Sequence, residues 1–353
     1  MKAKTLIVAG GTGGHISPGI ALYEELNQNQ IPSIFVTLKT NKNYSDFIKK
    51  NIQPKYILAP KFSDIFLFLP LLLIGIIQSI GILLKEKVQI VIGMGGYPSI
   101  PVLLASLVLG KKIYLCEQNV VMGRTTKVFS KFAKNVFLTF PLETEFSKKD
   151  SHYVLTGAPF RQELFEYAMK FRNQNPKIKT ILVLGGSQGA KQLNEMIMNF
   201  WKEYPKISKQ FQWIVQTGEK NLEDFKSQVE KISFKKQITF FGFSSNIYEF
   251  YTKADLLICR SGSGILSEAL LFCIPVITIP YPYAKDNHQL KNAEFIEKNQ
   301  MGILLNTKET TPQLLYEALK KAIKLYPTFK KNLQKKTFYR NPAKEIVHTI
   351  FNN

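Results

Sequence analysis

The chain twice passes from a short apolar strand through a glycine-rich loop into a helix, and this repeat constrains its fold more than any other feature. TLIVAGGTGGH ends at His15, and TILVLGGSQGA begins at Thr180. After each of them, apolar runs alternate with amphipathic stretches, which is the pattern of parallel strands connected by helices. The sequence therefore predicts an α/β protein with two Rossmann-like domains, whose parallel sheets face each other across a cleft.

Twelve apolar runs are predicted to be strands, six in each half of the chain. Those of the first half are Thr5–Ala9, Ser33–Thr37, Ile90–Ile92, Lys112–Cys116, Asn135–Leu138 and Tyr153–Thr156. Those of the second half are Thr180–Leu184, Gln212–Gln216, Ile238–Phe241, Leu256–Cys259, Val276–Ile279 and Gly302–Leu305. Predicted helices between them include Gly19–Asn27, Lys191–Trp201 and Ile265–Phe272. The domains are expected to span residues 1–160 and 161–335, joined near Gly157–Arg161.

The charge of the chain indicates an anionic partner. With 353 residues and a formal net charge of +21, a nucleotide, an anionic lipid or a nucleic acid would be attracted. No arginine-rich arm, zinc finger or helix-turn-helix pattern is present, so no nucleic acid is expected as a partner. A lysine-rich, solvated surface is the alternative explanation of the excess. The three cysteines stand singly in apolar runs, which predicts reduced core residues and no metal site.

Ile65–Leu84 is a run of twenty uncharged residues, long enough to cross a bilayer as a helix. Pro70, two glycines and the polar pair Gln78–Ser79 interrupt it, and the α/β pattern continues on both sides. A helix or helical hairpin that is partly core and partly membrane-docking is therefore favoured over a span, which stays the alternative. Nearby lysines would suit anionic headgroups; they are Lys55, Lys61, Lys85 and Lys87.

Each glycine loop leads into a helix N-terminus, where free N–H groups and the positive end of the helix dipole attract anions. The loops therefore predict two phosphate cradles, with a tight strand-to-helix turn as the alternative for each. His15 closes the first loop, where the dipole disfavours its protonated form, so a neutral imidazole there could act as a general base. A histidine that merely packs at the turn is the other interpretation, and carboxylates stay open as alternative bases.

Seven motifs occur in an order and spacing that resemble the MurG family of bacterial glycosyltransferases. They are GGTGGHISPGIAL, GMGGYPSIP, EQNVVMG, GAPFR, GGSQGA, CRSGSGILSEAL and PYPYAKDNHQLKNA. The resemblance implies the GT-B fold, with residues 336–353 forming a helix that packs back on the N-terminal domain. It implies inverting transfer of GlcNAc from UDP-GlcNAc to the C4 hydroxyl of MurNAc in lipid I. The product would be lipid II for peptidoglycan synthesis, formed without metal or cofactor.

The resemblance also implies where such an enzyme works and with what. It would be peripheral on the cytoplasmic face of the inner membrane, with UDP-GlcNAc and the polyprenyl-diphosphate acceptor lipid I as substrates. An anionic membrane surface and other cell-wall synthesis proteins are further candidate partners. The N-terminal domain would bind the acceptor and the membrane, and the C-terminal domain the donor nucleotide.

Site residues carry over from the motifs position by position. The implied catalytic group is His15, Glu117 and Asn119. The implied donor-binding group is Thr12, Gly13, Gly14, Asn119, Arg161, Ser187, Phe243, Ser244, Glu268 and Gln289. The implied acceptor side is Gly13, Gly14, His15 and Tyr97. Within the donor group, Ser187 would meet the phosphate, Glu268 the ribose and Gln289 the GlcNAc hydroxyls. Arg161 would face the leaving UDP, and Phe243–Ser244 the uracil edge.

The chain departs from the family pattern at Thr126 and Ala158, where asparagine is usual, and in the SGSGILSE turn. These departures put individual side-chain contacts in doubt, whereas backbone contacts would survive them. Three rival functions follow from the same sequence: another GT-B enzyme such as a diacylglycerol glycosyltransferase or a UDP-GlcNAc 2-epimerase, a non-catalytic membrane scaffold, and an NAD-dependent oxidoreductase. Against the oxidoreductase, the sequence has no GxGxxG loop after a predicted strand.

Overall fold

The computed structural model describes residues 2–60, 65–142, 152–172, 174–186, 190–244, 246–306, 311–335 and 340–352. The chain forms two compact units. The first comprises Met1–Glu163 together with Tyr339–Asn353, and the second comprises Leu164–Phe338. The unit boundaries thus fall at 163 and 338, where the sequence placed them at 160 and 335.

The first unit is built on a seven-stranded parallel sheet with the order β3-β2-β1-β4-β5-β6-β7. Its strands are β1 (Thr5–Val8), β2 (Ser33–Leu38), β3 (Lys55–Ile57), β4 (Ile90–Gly93), β5 (Lys112–Glu117), β6 (Asn135–Leu138) and β7 (Tyr153–Leu155). Its helices are α1 (Gly13–Gln28), α2 (Ser45–Lys49), α3 (Ile65–Lys85), α4 (Ile100–Val108), α5 (Arg124–Phe129) and α14 (Pro342–Asn352). α6 (Gln162–Lys170) begins at the boundary with the second unit.

Both faces of this sheet are buried, because successive side chains of a strand point to opposite sides. On β1, Leu6 belongs to one apolar cluster and Ile7 to the other. α14 completes the second cluster with Ile346 and Ile350, which lie in the same core as Ile16 and other apolar residues of α1. The last helix of the chain is therefore part of the first core.

Asn341 fixes the start of α14. Its side-chain oxygen accepts from the backbone N–H of Ala343 at 3.0 Å, and its amide donates to the carbonyl of Phe160 at 2.9 Å. A side-chain oxygen that accepts from the first turn is the usual way to begin a helix. Asn341 thus caps α14 and ties it to Phe160, near the end of the first segment of the unit.

The second unit contains a six-stranded parallel sheet with the order β10-β9-β8-β11-β12-β13. Its strands are β8 (Thr180–Leu184), β9 (Gln212–Gln216), β10 (Ile238–Phe241), β11 (Leu256–Cys259), β12 (Val276–Thr278) and β13 (Gly302–Leu304). Its helices are α7 (Lys191–Glu203), α8 (Pro205–Ser208), α9 (Leu222–Val229), α10 (Tyr248–Tyr251), α11 (Ser263–Leu271), α12 (His288–Lys298) and α13 (Pro312–Lys335). Trp201 and Trp213 pack edge to face in its core, with ring centroids 5.3 Å apart.

The structure confirms the α/β class and the two parallel sheets. All twelve predicted strands are present within one residue of their predicted ends, and β3 is an additional edge strand. The first helix is longer than predicted, since α1 begins at Gly13 and not at Gly19. Cys116, Cys259 and Cys273 are all buried, and burial raises the pKa of the Cys116 and Cys259 thiols.

α3 is a single helix with a packed face and an exposed apolar face. On the packed face, Ser79 donates to the carbonyl of Gly75, and Gln78 accepts from the backbone N–H of Leu58 at 2.8 Å. The opposite face leaves large apolar side chains at least 40% exposed: Leu67, Leu69, Leu73, Ile74, Ile77 and Leu84. Within the described ranges, Leu67–Lys85 is the one segment long and apolar enough to cross a membrane, and 17% of its residues are buried.

The end of α3 is held by two lysines that reach Glu86. Lys4 and Lys55 place their Nζ atoms 2.6 and 2.8 Å from the carboxylate, and these bonds lower the pKa of Glu86 to about 2. A carboxyl with a lowered pKa stabilises the fold above its unfolded pKa and loses that effect as the pH falls through the folded value. The Lys4–Glu86–Lys55 group therefore links β1, β3 and α3 most strongly near neutral pH.

We expect Glu86→Gln to lower the free energy of unfolding at pH 7, with a difference from wild type that shrinks as the pH falls from 4.5 towards 2. Urea unfolding at a series of pH values measures this difference. Glu203→Gln, at an exposed carboxylate on α7, is the matched control. A Glu86→Gln difference that does not change with pH would contradict the ion-pair origin of the effect.

Candidate active site

The predicted acceptor-side residues lie together where the strands of the first sheet reach their carboxyl ends. β1 and β4 are neighbours in the sheet, and the chain continues from β1 to β2 on one side of this pair and from β4 to β5 on the other. Loops at the carboxyl ends of strands diverge at such a switch point and leave a crevice, where ligands of open α/β sheets bind. The segments at the carboxyl ends of β1, β4 and β5 contain Thr12–His15, Gly95–Tyr97 and Glu117–Asn119, respectively.

The first glycine loop ends in the first turn of α1. Gly11 adopts φ +85°, a conformation that favours glycine, and Thr12 is the extended residue before the helix. The Thr12 hydroxyl does not cap α1, so the first-turn N–H groups of Gly13 and Gly14 point outward along the helix dipole. The loop thus has the geometry of an anion cradle.

His15 is held at this edge by Gln118. The His15 Nδ1 lies 3.0 Å from the Gln118 Oε1. The imidazole ring packs against the loop after β4, because a Cβ placed on Gly96 would come within 3.4 Å of Nε2. Gly96 has φ +74°, so the loop can pass close to the ring only with glycine there. The ring of Tyr97, the next residue, lies against the first glycine loop, with its Cε1 3.7 Å from the position of a Cβ on Gly11.

Glu117 uses both carboxylate oxygens to hold the loop that it begins. Its Oε1 accepts from the backbone N–H of Asn119 at 3.0 Å and from the Asn119 side chain at 3.4 Å. Its Oε2 accepts from the N–H of Gly123 at 2.9 Å, directly before α5. Glu117 is only 3% exposed. These contacts suit a carboxylate that positions Asn119 better than one that removes a proton from substrate.

Thr126, at a departure from the family pattern, is buried beside the same loop. Its Oγ1 lies 3.6 Å from the position of a Cβ on Gly95.

Arg161 is paired with Asp46, with Nη1 3.4 Å from Oδ2 and both side chains largely buried. Tyr44, two residues before Asp46, places its hydroxyl 3.4 Å from the position of a Cβ on Gly13.

In the second unit, the described donor-side residues follow β10, β11 and β12: Phe243 and Ser244 come after β10, Glu268 is on α11, and Gln289 is on α12. Gln289, on α12, accepts from the N–H of Tyr281 with its Oε1 at 2.9 Å. Ser261, after β11, donates to the backbone carbonyl of Gln289 at 2.8 Å. Phe243 is 45% exposed, and Ser244 Oγ accepts from the N–H of Asn246 at 3.1 Å.

Glu268 lies on α11, half-buried beside the fully buried Tyr251. Burial and the charge of Glu268 raise the pKa of Tyr251. The Tyr251 ring stacks on Phe272, four residues after Glu268.

The predicted phosphate contact Ser187 lies outside the described residues. No cluster of His, Cys, Asp or Glu that could hold a metal is found in the part of the chain that the structure describes.

Arg260 is a residue that the sequence reasoning missed. Its guanidinium donates to the carbonyls of Ile279 and Pro280 at 3.1 and 3.2 Å, and its backbone N–H donates to Leu184. It therefore joins the carboxyl ends of β8, β11 and β12, next to Gln192 at the start of α7. Burial lowers the pKa of Arg260. The signal that could have revealed it is its place directly after a buried strand in CRSGSG.

Two domain matches cover most of the chain. Residues 5–138 match the glycosyltransferase family 28 N-terminal domain, and residues 180–350 match the glycosyltransferase family 28 C-terminal domain. The fold agrees, since the crystal structure of Acinetobacter baumannii MurG superposes with a TM-score of 0.77 at 25% identity, covering 99% of both chains. A Staphylococcus aureus MnaA–UDP structure shares the fold with a TM-score of 0.64 at 17% identity, covering 99% of this chain and 96% of that one. Fold and sequence together define a GT-B glycosyltransferase of family 28.

Curated relatives narrow the class further. A UDP-N-acetylglucosamine--N-acetylmuramyl-(pentapeptide) pyrophosphoryl-undecaprenol N-acetylglucosamine transferase of Leptospira interrogans is 38% identical over 325 residues, covering 89% of this chain and 88% of the relative. A protein of the same name from Sulfurihydrogenibium sp. is 32% identical over 366 residues, covering 99% and 98%. The chain belongs to this MurG family of transferases, which confirms the resemblance seen in its motifs.

Proposed function

We propose that the chain transfers GlcNAc from UDP-GlcNAc to the C4 hydroxyl of MurNAc in lipid I, with inversion and without a metal, to give lipid II. The observation that carries this proposal is the imidazole of His15, held by Gln118 beside the glycine loop at the switch point of the first sheet. The names of the relatives support the two substrates. The first unit would bind the acceptor and the second unit the donor.

In the proposed reaction, the Nε2 of His15 removes the proton of the C4 hydroxyl as its oxygen forms a bond to C1 of GlcNAc. The bond from C1 to the β-phosphate oxygen breaks, and UDP leaves with the electron pair. One displacement inverts the configuration at C1. Fixed N–H dipoles at helix N-termini would stabilise the charge that develops on the leaving diphosphate, which is the role that a metal has in other transferases.

The donor contacts follow from the second unit. The Gln289 amide oxygen is engaged by Tyr281, so its Nε2–H groups would donate to the GlcNAc hydroxyls. The Glu268 carboxylate would accept from the ribose hydroxyls, and the backbone around the exposed Phe243 and the half-buried Ser244 would meet the uracil. Ser187 and Arg161 would contact the diphosphate. For Arg161 this requires exchange of its partner Asp46 for phosphate.

Transfer of radiolabel from UDP-GlcNAc to a short-chain lipid I analogue, with EDTA present, tests the proposal. Labelled product, its β-configuration and its insensitivity to EDTA are expected. If the chain binds UDP-GlcNAc but transfers nothing to the lipid I analogue, the assignment of lipid I as acceptor is wrong and that of the donor stands. If the chain neither binds UDP-GlcNAc nor forms product, the proposed activity is wrong.

We propose further that the exposed apolar face of α3 docks on the cytoplasmic side of the inner membrane without crossing it. Six large apolar side chains of α3 are exposed, while Gln78 and Ser79 make their hydrogen bonds within the unit. Lys85 and Lys87, at the end of α3, are exposed and would face anionic headgroups. Lys55 is instead bound to Glu86, and Lys61 lies outside the described residues.

Ile77→Glu is expected to weaken binding to vesicles containing acidic phospholipid by about tenfold or more, because a buried apolar side chain contributes roughly 1.5–3 kcal/mol. Ile77 is 68% exposed, so the fold should tolerate the change. Co-sedimentation at low salt measures binding. Ile323→Glu, at an exposed apolar residue of α13, is the matched control. Equal loss in both variants would contradict docking through α3, and resistance to alkaline carbonate would favour a span.

A further inference from the structure

Gln118 follows β5 and is almost completely buried, with 4% exposure. Both ends of its amide have partners in the first unit. The Oε1 lies 3.0 Å from the Nδ1 of His15, and the Nε2 lies 3.3 Å from the carbonyl oxygen of Cys116. The side chain therefore bridges the main chain of β5 and the imidazole.

The backbone carbonyl determines which way this amide points. A carbonyl oxygen can only accept a hydrogen bond, so the NH₂ end of Gln118 must face Cys116 and the oxygen must face His15. An amide oxygen also can only accept, so the Nδ1 of His15 is the donor. The neutral ring then carries its proton on Nδ1, and Nε2 is its basic nitrogen.

We propose that Gln118 is a positioning residue that holds His15 in the tautomer able to accept the proton of the acceptor hydroxyl. This inference rests on the proposed function, in which Nε2 is the base. The amide also has no charge, so it orients the ring without favouring the imidazolium form. A carboxylate at the same place would orient the ring equally but would stabilise the protonated form, which cannot act as a base.

Neighbouring elements bring other ionisable groups to this edge. The Glu117 carboxylate is occupied by backbone N–H groups of its own loop. The thiol of Cys116 is buried, which raises its pKa. Tyr44, Tyr97 and Arg124 lie on adjoining segments, and the Asp46–Arg161 ion pair begins two residues after Tyr44. Gln118 makes a direct hydrogen bond to Nδ1, so we expect a charge placed at Gln118 to have a large effect on the titration of the ring.

Gln118→Glu tests this role through the pH dependence of kcat/KM. A negative charge at Nδ1 favours the imidazolium, so the acidic limb of the profile should move up by about one to three pH units. Activity at neutral pH should fall and recover at higher pH. Gln89→Glu adds the same charge at an exposed residue directly before β4, at the other end of the sheet, and should leave the limb in place.

The outcomes separate this inference from the proposed function. If His15→Ala abolishes transfer but Gln118→Glu leaves the limb where it lies in wild type, the positioning role is wrong and the base stands. If His15→Ala transfers at the wild-type rate, the base itself is wrong, and this inference falls with it.

A measurement on the unsubstituted chain covers the case in which Gln118→Glu does not fold. With ¹⁵N-labelled histidine, long-range ¹H–¹⁵N correlation spectra report which ring nitrogen carries the proton, and only four histidines need assignment. A neutral His15 protonated on Nδ1 would support the proposal. Protonation on Nε2 would overturn it.

Discussion

Replacement of His15 by alanine is expected to lower kcat for GlcNAc transfer by about 10²- to 10⁴-fold, the range that a positioned general base contributes. The imidazole is at the third position of α1, beside the glycine loop, with its Nδ1 bound to Gln118. Because the ring makes no proposed contact to the nucleotide, the affinity for UDP should stay unchanged. Steady-state transfer and calorimetric titration with UDP measure the two quantities.

His348→Ala provides the matched control for this variant. His348 is exposed on α14, in the same unit as His15 but on its surface, so its replacement should leave both the rate and the affinity near wild type. A His15→Ala variant with wild-type kcat would assign the base to another group. A parallel loss of UDP affinity would indicate that the loop, and not only the base, was disturbed.

Replacement of Glu117 by alanine is expected to lower the free energy of unfolding by about 3 kcal/mol, since it removes a buried carboxylate and leaves two partly buried N–H groups without their acceptor. The N–H groups of Asn119 and Gly123 would lose their partners, and the loop that carries Gln118 would no longer be fixed. The transfer rate should fall with it. Urea unfolding and the transfer assay measure these effects.

Glu117→Gln separates the loop-holding role from a role as base. The amide keeps one acceptor oxygen but turns an NH₂ donor towards the N–H of either Asn119 or Gly123, and it cannot take a proton from substrate. We expect it to be less stable than wild type but more stable than Glu117→Ala, and to retain a measurable fraction of the transfer rate. If Glu117→Gln is as inactive as His15→Ala while remaining as stable as wild type, then Glu117 takes part in the chemistry.

The repeated strand–loop–helix units made the α/β class predictable, because strands buried on both faces leave long apolar runs. β3 was not predicted, since it is an edge strand of only three residues, one of them exposed, and the short apolar run YILA ends at Pro60. The predicted helix starts at Gly19 and Ile265 were wrong, since α1 begins at Gly13 and α11 at Ser263, where glycine and serine weaken the helical pattern. Element ends depend on capping contacts that local sequence determines only in part.

The candidate site was predictable in its residues more than in their roles. His15 and Glu117 stand out as ionisable groups in motifs, yet the sequence does not show that the carboxylate is occupied by the N–H groups of its own loop. The partnership of Gln118 with His15 joins residues 103 positions apart in the chain. Arg260 is similar, because its carbonyl partners come from a different strand. Such roles depend on how strand ends meet in the folded unit.

The place of α14 in the first core has a consequence for the order of events during synthesis. Residues 1–163 leave the ribosome first, but Ile346 and Ile350, which complete their apolar cluster, emerge only after the whole second unit. At about 5–20 residues per second, the wait is roughly 10–40 s. Throughout that time the α1 face that α14 will cover stays open to water or to a chaperone. The unit that begins the chain is thus the last to be finished.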